Sequence, residues 1–186
     1  MSTYLSSSIK QFEYYKMLSD KTFAQLSDEQ LFWKANDESN SIANIVKHLW
    51  GNMLSRWTNF LTTDGEKDWR DREGEFNSDT LNRDNMLAQW EAGWACLFAA
   101  LCPLTETDLE RTIYIRNQGH TVTEAINRQT AHYASHVGQI VFVGKMLRGG
   151  SWESLSITRG ESEKYNTEKF SQPKREEHFT DGFMKK

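Results

Sequence analysis

The chain has 186 residues, a formal net charge of −4, 38% hydrophobic and 26% charged residues, which fits one domain with room for a core that needs no staples. Two cysteines, Cys96 and Cys102, exclude a disulfide scaffold and a four-cysteine zinc site, and two prolines and eleven glycines exclude a collagenous or low-complexity chain. The mildly acidic balance argues against a nucleic-acid partner. No apolar run approaches the roughly 18 residues of a membrane span. The absence of a secretion-type leader near Met1 and the free cysteines lead to the expectation of a cytoplasmic protein.

Helical periodicity runs through most of the sequence. Leu5, Ile9, Phe12 and Tyr15 recur at helical spacing in a first helix expected over about residues 3–26. Ser27-Asp28-Glu29-Gln30 reads as a capping box and predicts a short helix through Leu31 and Trp33. A second long helix is expected over residues 41–61, capped by Asn40 or Ser41. Its apolar face carries Ile42, Val46, Leu49, Met53, Trp57 and Phe60. Residues 62–78 break the pattern with Asp-Gly, Glu-Gly and a dense run of charges. A connection of that length implies a crossover between two parallel helices.

A third long helix is expected from near Ser78 or Asp79 to Leu101, with Leu87, Trp90, Trp94 and Leu97 at helical steps. Thr112 to Arg116 alternates and reads as extended, with Gly119 ending it. Thr121 and Glu124 form a further capping box and open a fourth long helix to about Arg148, stopped by Gly149-Gly150. The expected fold class is all-α: a four-helix bundle over residues 1–150 with a long crossover loop between helices 2 and 3. In the extension over residues 151–186, Trp152, Leu155 and Ile157 dock on the bundle. From Glu161 onward a weakly packed polar tail is expected.

The chemistry is concentrated in histidines. His132 and His136 lie one helical turn apart and project from one face. Such a pair can hold one metal ion through imidazole nitrogens. The residue after His132 is Tyr133 rather than glutamate, which disfavours a zinc peptidase. His48, in IANIVKHLWGN, sits on a polar flank with Ser41, Asn44, Asn52 and Ser55 and is the candidate third ligand. Three histidines with one position left over is the pattern of a catalytic zinc site rather than a closed structural one. Nickel, manganese or iron also suit imidazole. The competing reading is a histidine pair on a helix surface with no metal at all.

Among the other candidates, His120 reads as a turn residue and His178 as a solvent-exposed tail residue. Cys96 reads as packing, and Cys102 has no obvious base nearby. No phosphate-binding loop, dinucleotide fingerprint or nucleophile elbow is present. Arg70, Arg72 and Glu75 interleave with Trp69 and Phe76 in the charged connection, a pattern read as covering a pocket mouth or an interface.

Residues 40–57 (NSIANIVKHLWGNMLSRW), 64–76 (DGEKDWRDREGEF) and 120–145 (HTVTEAINRQTAHYASHVGQIVFVGK), continued by 149–166 (GGSWESLSITRGESEKYN), resemble the DinB/YfiT-like superfamily of four-helix-bundle metalloenzymes. Within it they are most similar to a subfamily known only as a domain of unknown function. The resemblance implies up-down-down-up topology, a homodimer, and a divalent metal, zinc or nickel, on His48, His132 and His136. It also implies an enzyme acting on a small molecule, S-transferase-like with a low-molecular-weight thiol co-substrate, or else a hydrolase. Asn44, Asn52, Gln129 and Tyr133 would then orient ligands, and Arg56 and Arg128 would meet a substrate carboxylate. The alternative is a non-enzymatic, stress-related dimeric metal-binding module, which a fourth protein ligand such as Glu75 or His120 would favour.

Overall fold

The computed structural model describes residues 3–77 and 81–184. It is mostly helical, with seven helices and one two-stranded hairpin among the described residues. Four helices open on reciprocal capping boxes, in which a side-chain oxygen accepts from the backbone three residues on and the third residue's side chain returns the bond. These are α1, Tyr4–Phe23, on Thr3 and Ser6; α2, Asp28–Phe32, on Ser27 and Gln30; α3, Ile42–Trp57, on Ser41 and Asn44; and α5, Val122–Arg148, on Thr121 and Glu124. The helix α4, Arg83–Leu101, is capped by Asn82. At the other end of α5 the chain leaves through Gly149 at φ 53, a backbone that only glycine adopts without steric cost.

Three boundaries differ from the sequence expectation. Helix α3 ends at Trp57, because Asn59 takes φ 48 and its carbonyl accepts the Thr62 and Thr63 amides in a turn. Helix α4 begins at Arg83 with Asn82 as its cap, while the expected start near Ser78 or Asp79 lies outside the described residues. Strand β1, Thr112–Ile115, is extended as expected, but Gly119 does not end the run. It sits inside β2, Gln118–Thr121, opposite Tyr114 in an antiparallel pair. The two-residue turn between the strands is Arg116-Asn117, both at positive φ, the turn whose twist matches paired strands.

The long helices pack in pairs, α3 against α4 and α1 against α5, with further contacts between α3 and α5 and between α1 and α4. Their shared core is aromatic. Trp94 has its ring 5.4 Å from Trp90, 5.8 Å from Tyr133 and 6.3 Å from Phe12, and Phe23 meets Trp90 edge-on. The Tyr133 hydroxyl is buried yet satisfied: it donates to Asn52 Oδ1 at 3.1 Å and accepts from Trp57 Nε1 at 3.1 Å. Because Tyr133 points into this core, the rotation of α5 is set, and His132 and His136 fall on the flank toward α3.

The C-terminal segment is better packed than its composition suggested. Gln25 exchanges hydrogen bonds with the Glu153 backbone. After α6, Ser162–Phe170, the chain returns to α1 through α7, Asp181–Met184. Lys10 binds Asp181 at 2.8 Å, Tyr14 meets the rings of Phe179 and Phe183, and Thr180 is fully buried. His178 is half-buried rather than solvent-exposed, 3.0 Å from Ser7 Oγ. The outer face of α1 offers matching groups at Ser7, Lys10 and Tyr14, which a reading of the tail alone does not disclose.

Trp94 has no exposed surface, and truncating a fully buried aromatic costs about 3–5 kcal/mol. Trp94→Ala is expected to lower the unfolding free energy by that amount in urea titrations, and Trp94→Phe by distinctly less.

Candidate metal centre

The site begins with two helical ladders. On α3, His48, Asn52 and Arg56 follow one another at four-residue steps. On α5, Arg128, His132 and His136 do the same. Steps of four keep each set on one face, about 6 Å apart along the axis. The contact between the two helices brings the histidine ends together. His132 Nε2 lies 3.3 Å from His48 Nε2 and 3.1 Å from His136 Nε2. Ligand atoms of all three residues lie within 4.8 Å of one another, and among the described residues this is a group that can hold a metal ion.

The donor set fits that use. Two nitrogens bound to one zinc ion at about 2.0–2.1 Å in tetrahedral geometry are roughly 3.3–3.4 Å apart, close to the separations here. His48 Nδ1 faces Glu75 Oε2 at 2.9 Å. With Glu75 ionised, that ring nitrogen carries the proton and donates it, which leaves the Nε2 lone pair facing the cluster. His136 Nδ1 is likewise engaged outward, 3.0 Å from Gln139 Oε1. Burial, and then the neighbouring His136 and His48, push His132 down to about 3. Burial also lowers His136. Both rings therefore stay unprotonated at neutral pH, as a metal ligand must.

Glu75 is the buried hinge of the arrangement. It belongs to a single 3-10 turn, Gly74–Phe76, in the charged connection, and its side chain is 4% exposed. Burial pushes its carboxyl up, but hydrogen bonds from His48 and Arg70 and the Arg70 charge outweigh this and hold it below the usual range. Arg70 binds it at 2.7 Å and 3.0 Å. The turn is held to α3 by Asn44 Nδ2, which donates to the Phe76 carbonyl at 2.6 Å. The Phe76 ring stacks on His48. Gly51 makes room, since a Cβ there would collide with the Glu75 carboxylate.

A cavity of about 400 Å³ adjoins the cluster. All three histidines line it. Of the residues singled out from sequence, Asn52, Arg56, Arg128 and Gln129 line it as well. Asn44 and Tyr133 do not: Asn44 caps α3 and ties down Phe76, and Tyr133 is fully buried in the core. The connection supplies Arg70, Arg72 and Phe76 to the wall, in keeping with its interleaved charges and rings. Glu75 acts on the far nitrogen of His48 rather than joining the cluster, and His120 lies in β2 opposite Ile113.

Arg116 was missed by sequence reasoning. It reaches the cavity because Asp64 accepts the backbone N–H groups of Arg116 and Asn117, both at 2.8 Å, and so fastens the hairpin turn to the connection. Nothing local in the sequence signals that bond.

Removing a hydrogen-bond partner of a ligating histidine costs about 10–100-fold in metal affinity. Glu75→Gln is expected to weaken metal binding by that factor in competition with a chromogenic chelator. Gly51→Ala, which displaces Glu75 without touching its chemistry, is expected to do the same.

The depressed His132 value fixes a pH dependence. Between pH 6.5 and about 3 the unfolded chain binds a proton at this residue that the folded chain does not, so the metal-free protein loses stability as pH falls through that window. His132→Gln is expected to flatten this limb of the stability curve in urea titrations run at successive pH values.

Residues 1–161 match the model of a protein family described as a protein of unknown function (DUF1572). No curated protein and no solved structure matches the chain.

Proposed function

We propose that this chain, which belongs to the DUF1572 family, is a divalent-metal-dependent enzyme that acts on a small molecule at His48, His132 and His136. The observation that carries the reading is the convergence of three imidazole Nε2 atoms beside a cavity, with Glu75 fixing the proton of His48 on the far side of its ring. Among the described residues, no fourth histidine, cysteine or carboxylate joins the group, a composition that suits a catalytic rather than a structural site.

Zinc or nickel is the expected metal. A divalent ion held there lowers the pKa of a thiol or water and so supplies a nucleophile at neutral pH. The chain's own residues do the rest. Glu75 and Gln139 orient two of the ligating rings. Asn52 and Gln129 offer amide groups to a substrate, and the guanidinium groups of Arg56 and Arg70 favour negative charge beside the histidines. Transfer of a thiol sulfur to an electrophile is the reaction class this environment suits best. The cavity favours this reading over a non-enzymatic module, which has no use for a polar recess beside the ligands.

The same contacts support an up-down-down-up four-helix bundle. Tyr4 meets Asn127 and Phe12 meets Tyr133, so α1 and α5 ascend together. His48 meets His136 while Trp57 meets Tyr133, so α3 runs against α5. That topology agrees with membership of the DinB/YfiT-like superfamily, and with it go a homodimer and a cytoplasmic location.

The test is elemental mass spectrometry of untagged protein. Near-stoichiometric zinc or nickel is expected in the wild type, with loss in His48→Ala, His132→Ala and His136→Ala and retained helical circular dichroism. A wild type that takes up no metal after reconstitution overturns the proposal. So does a metal-loaded protein with neither thiol affinity nor turnover in thiol-transfer and hydrolysis panels.

A further inference from the structure

A chain with a net charge of −4 gathers five arginines, Arg56, Arg70, Arg72, Arg116 and Arg128, around one cavity. Their internal compensation is incomplete. A single carboxylate, Glu66, serves Arg56, Arg70 and Arg116 at 3.1, 3.7 and 3.1 Å. Glu75 is shared between Arg70 and His48. Among the described residues Arg72 has one ion-pair partner, the exposed Glu73 at 3.5 Å, and it lies over the Phe76 ring. Among the described residues, no ion pair or hydrogen bond engages the Arg128 side chain, although it lines the cavity.

Two further atoms point the same way. Gln129 is 2% exposed and, among the described residues, its Oε1 has no hydrogen-bond partner. Arg56 is also buried, and its Nε has none either. Both residues line the cavity. A buried acceptor and a buried donor left unpaired cost free energy that a ligand can recover. Burial and the nearby Arg70 and Arg128 charges hold Arg56 below its usual value despite Glu66, which fits a cluster of cations still short of negative charge.

We propose that this cavity is an anion site that selects a small acidic substrate, whose carboxylate or phosphate is clamped by Arg128 and Arg72 while an N–H or O–H group of the same molecule donates to Gln129. This rests on the preceding reading only for what happens at the other end of the ligand. Arg128 precedes His132 by one turn, and Arg56 follows His48 by two. With Arg128 one turn from His132 and Arg72 over the ring that stacks on His48, the anionic group sits close to the histidines, roughly 6 Å along α5 from His132. A neutral or cationic molecule of the same size forfeits the charge-assisted bonds and is rejected.

The experiment is isothermal titration of the full-length protein with glutarate, with inorganic phosphate and with uncharged glutaramide, at low and at high sodium chloride. Single-site binding of glutarate or phosphate, weakened by salt and absent for glutaramide, is expected. The preferred anion identifies the head group. The double variant Arg72→Gln, Arg128→Gln is expected to lose about tenfold or more in affinity. Lys145→Gln, which removes an exposed charge from the far part of α5, leaves binding unchanged. Protein stripped of metal with a chelator retains anion binding, so failure of the metal reading and failure of the anion site give different results. Equal binding of glutaramide, no binding of either anion, or equal losses in the Lys145 and arginine variants overturns the proposal.

Discussion

A buried carboxylate organises this protein's chemistry. Glu75 lies in a charged connection that, by composition, belongs in solvent, yet it is almost fully enclosed. An enclosed carboxylate is tolerable only with close partners, and removing one from such a pair costs about 3–5 kcal/mol. Its partners are Arg70, five residues back in the same connection, and His48, on α3. That one requirement draws residues 70–77 onto the helix, with Gly51 providing the space and Asn44 the tether. The connection thereby becomes a wall of the site instead of a link between helices.

The same carboxylate fixes the chemistry of the ring it holds. A histidine is ambiguous until one nitrogen is committed, and Glu75 commits Nδ1 of His48. The remaining nitrogen faces His132, which is kept neutral by its burial and its imidazole neighbours. The aromatic core contributes from the other side. Tyr133, held by Asn52 and Trp57, prevents α5 from turning about its axis. The cluster is thus held by one polar network in the core and another in the connection.

Charge is distributed unevenly to suit this arrangement. The surface is net acidic, while the cavity concentrates guanidinium groups with too few carboxylates to match them. Glu66 and Asp64 do double duty: Glu66 spreads one negative charge over three arginines, and Asp64 pins the hairpin turn that delivers Arg116. The result is a positive recess beside the histidine cluster, shaped by the bonds from the hairpin turn to Asp64 in the connection.

Local signals in the sequence determined a good deal. The capping boxes at Ser27 and Thr121 are complete within four residues each, so the starts of α2 and α5 were legible, as was the glycine stop of α5; the boxes Thr3–Ser6 and Ser41–Asn44, which use serine and asparagine in place of glutamate or glutamine, emerge only in the structure. The pair His132 and His136 was legible for the same reason, since a four-residue step fixes a shared face. The nomination of His48 followed from its polar flank, but its meeting with that pair is a fact of helix packing that no local pattern contains. The docking of α7 on α1, the capture of His48 by Glu75 and the arrival of Arg116 at the cavity were decided by tertiary structure alone. Each depends on one group finding another tens of residues away, where burial and charge compensation, not spacing along the chain, select the partner.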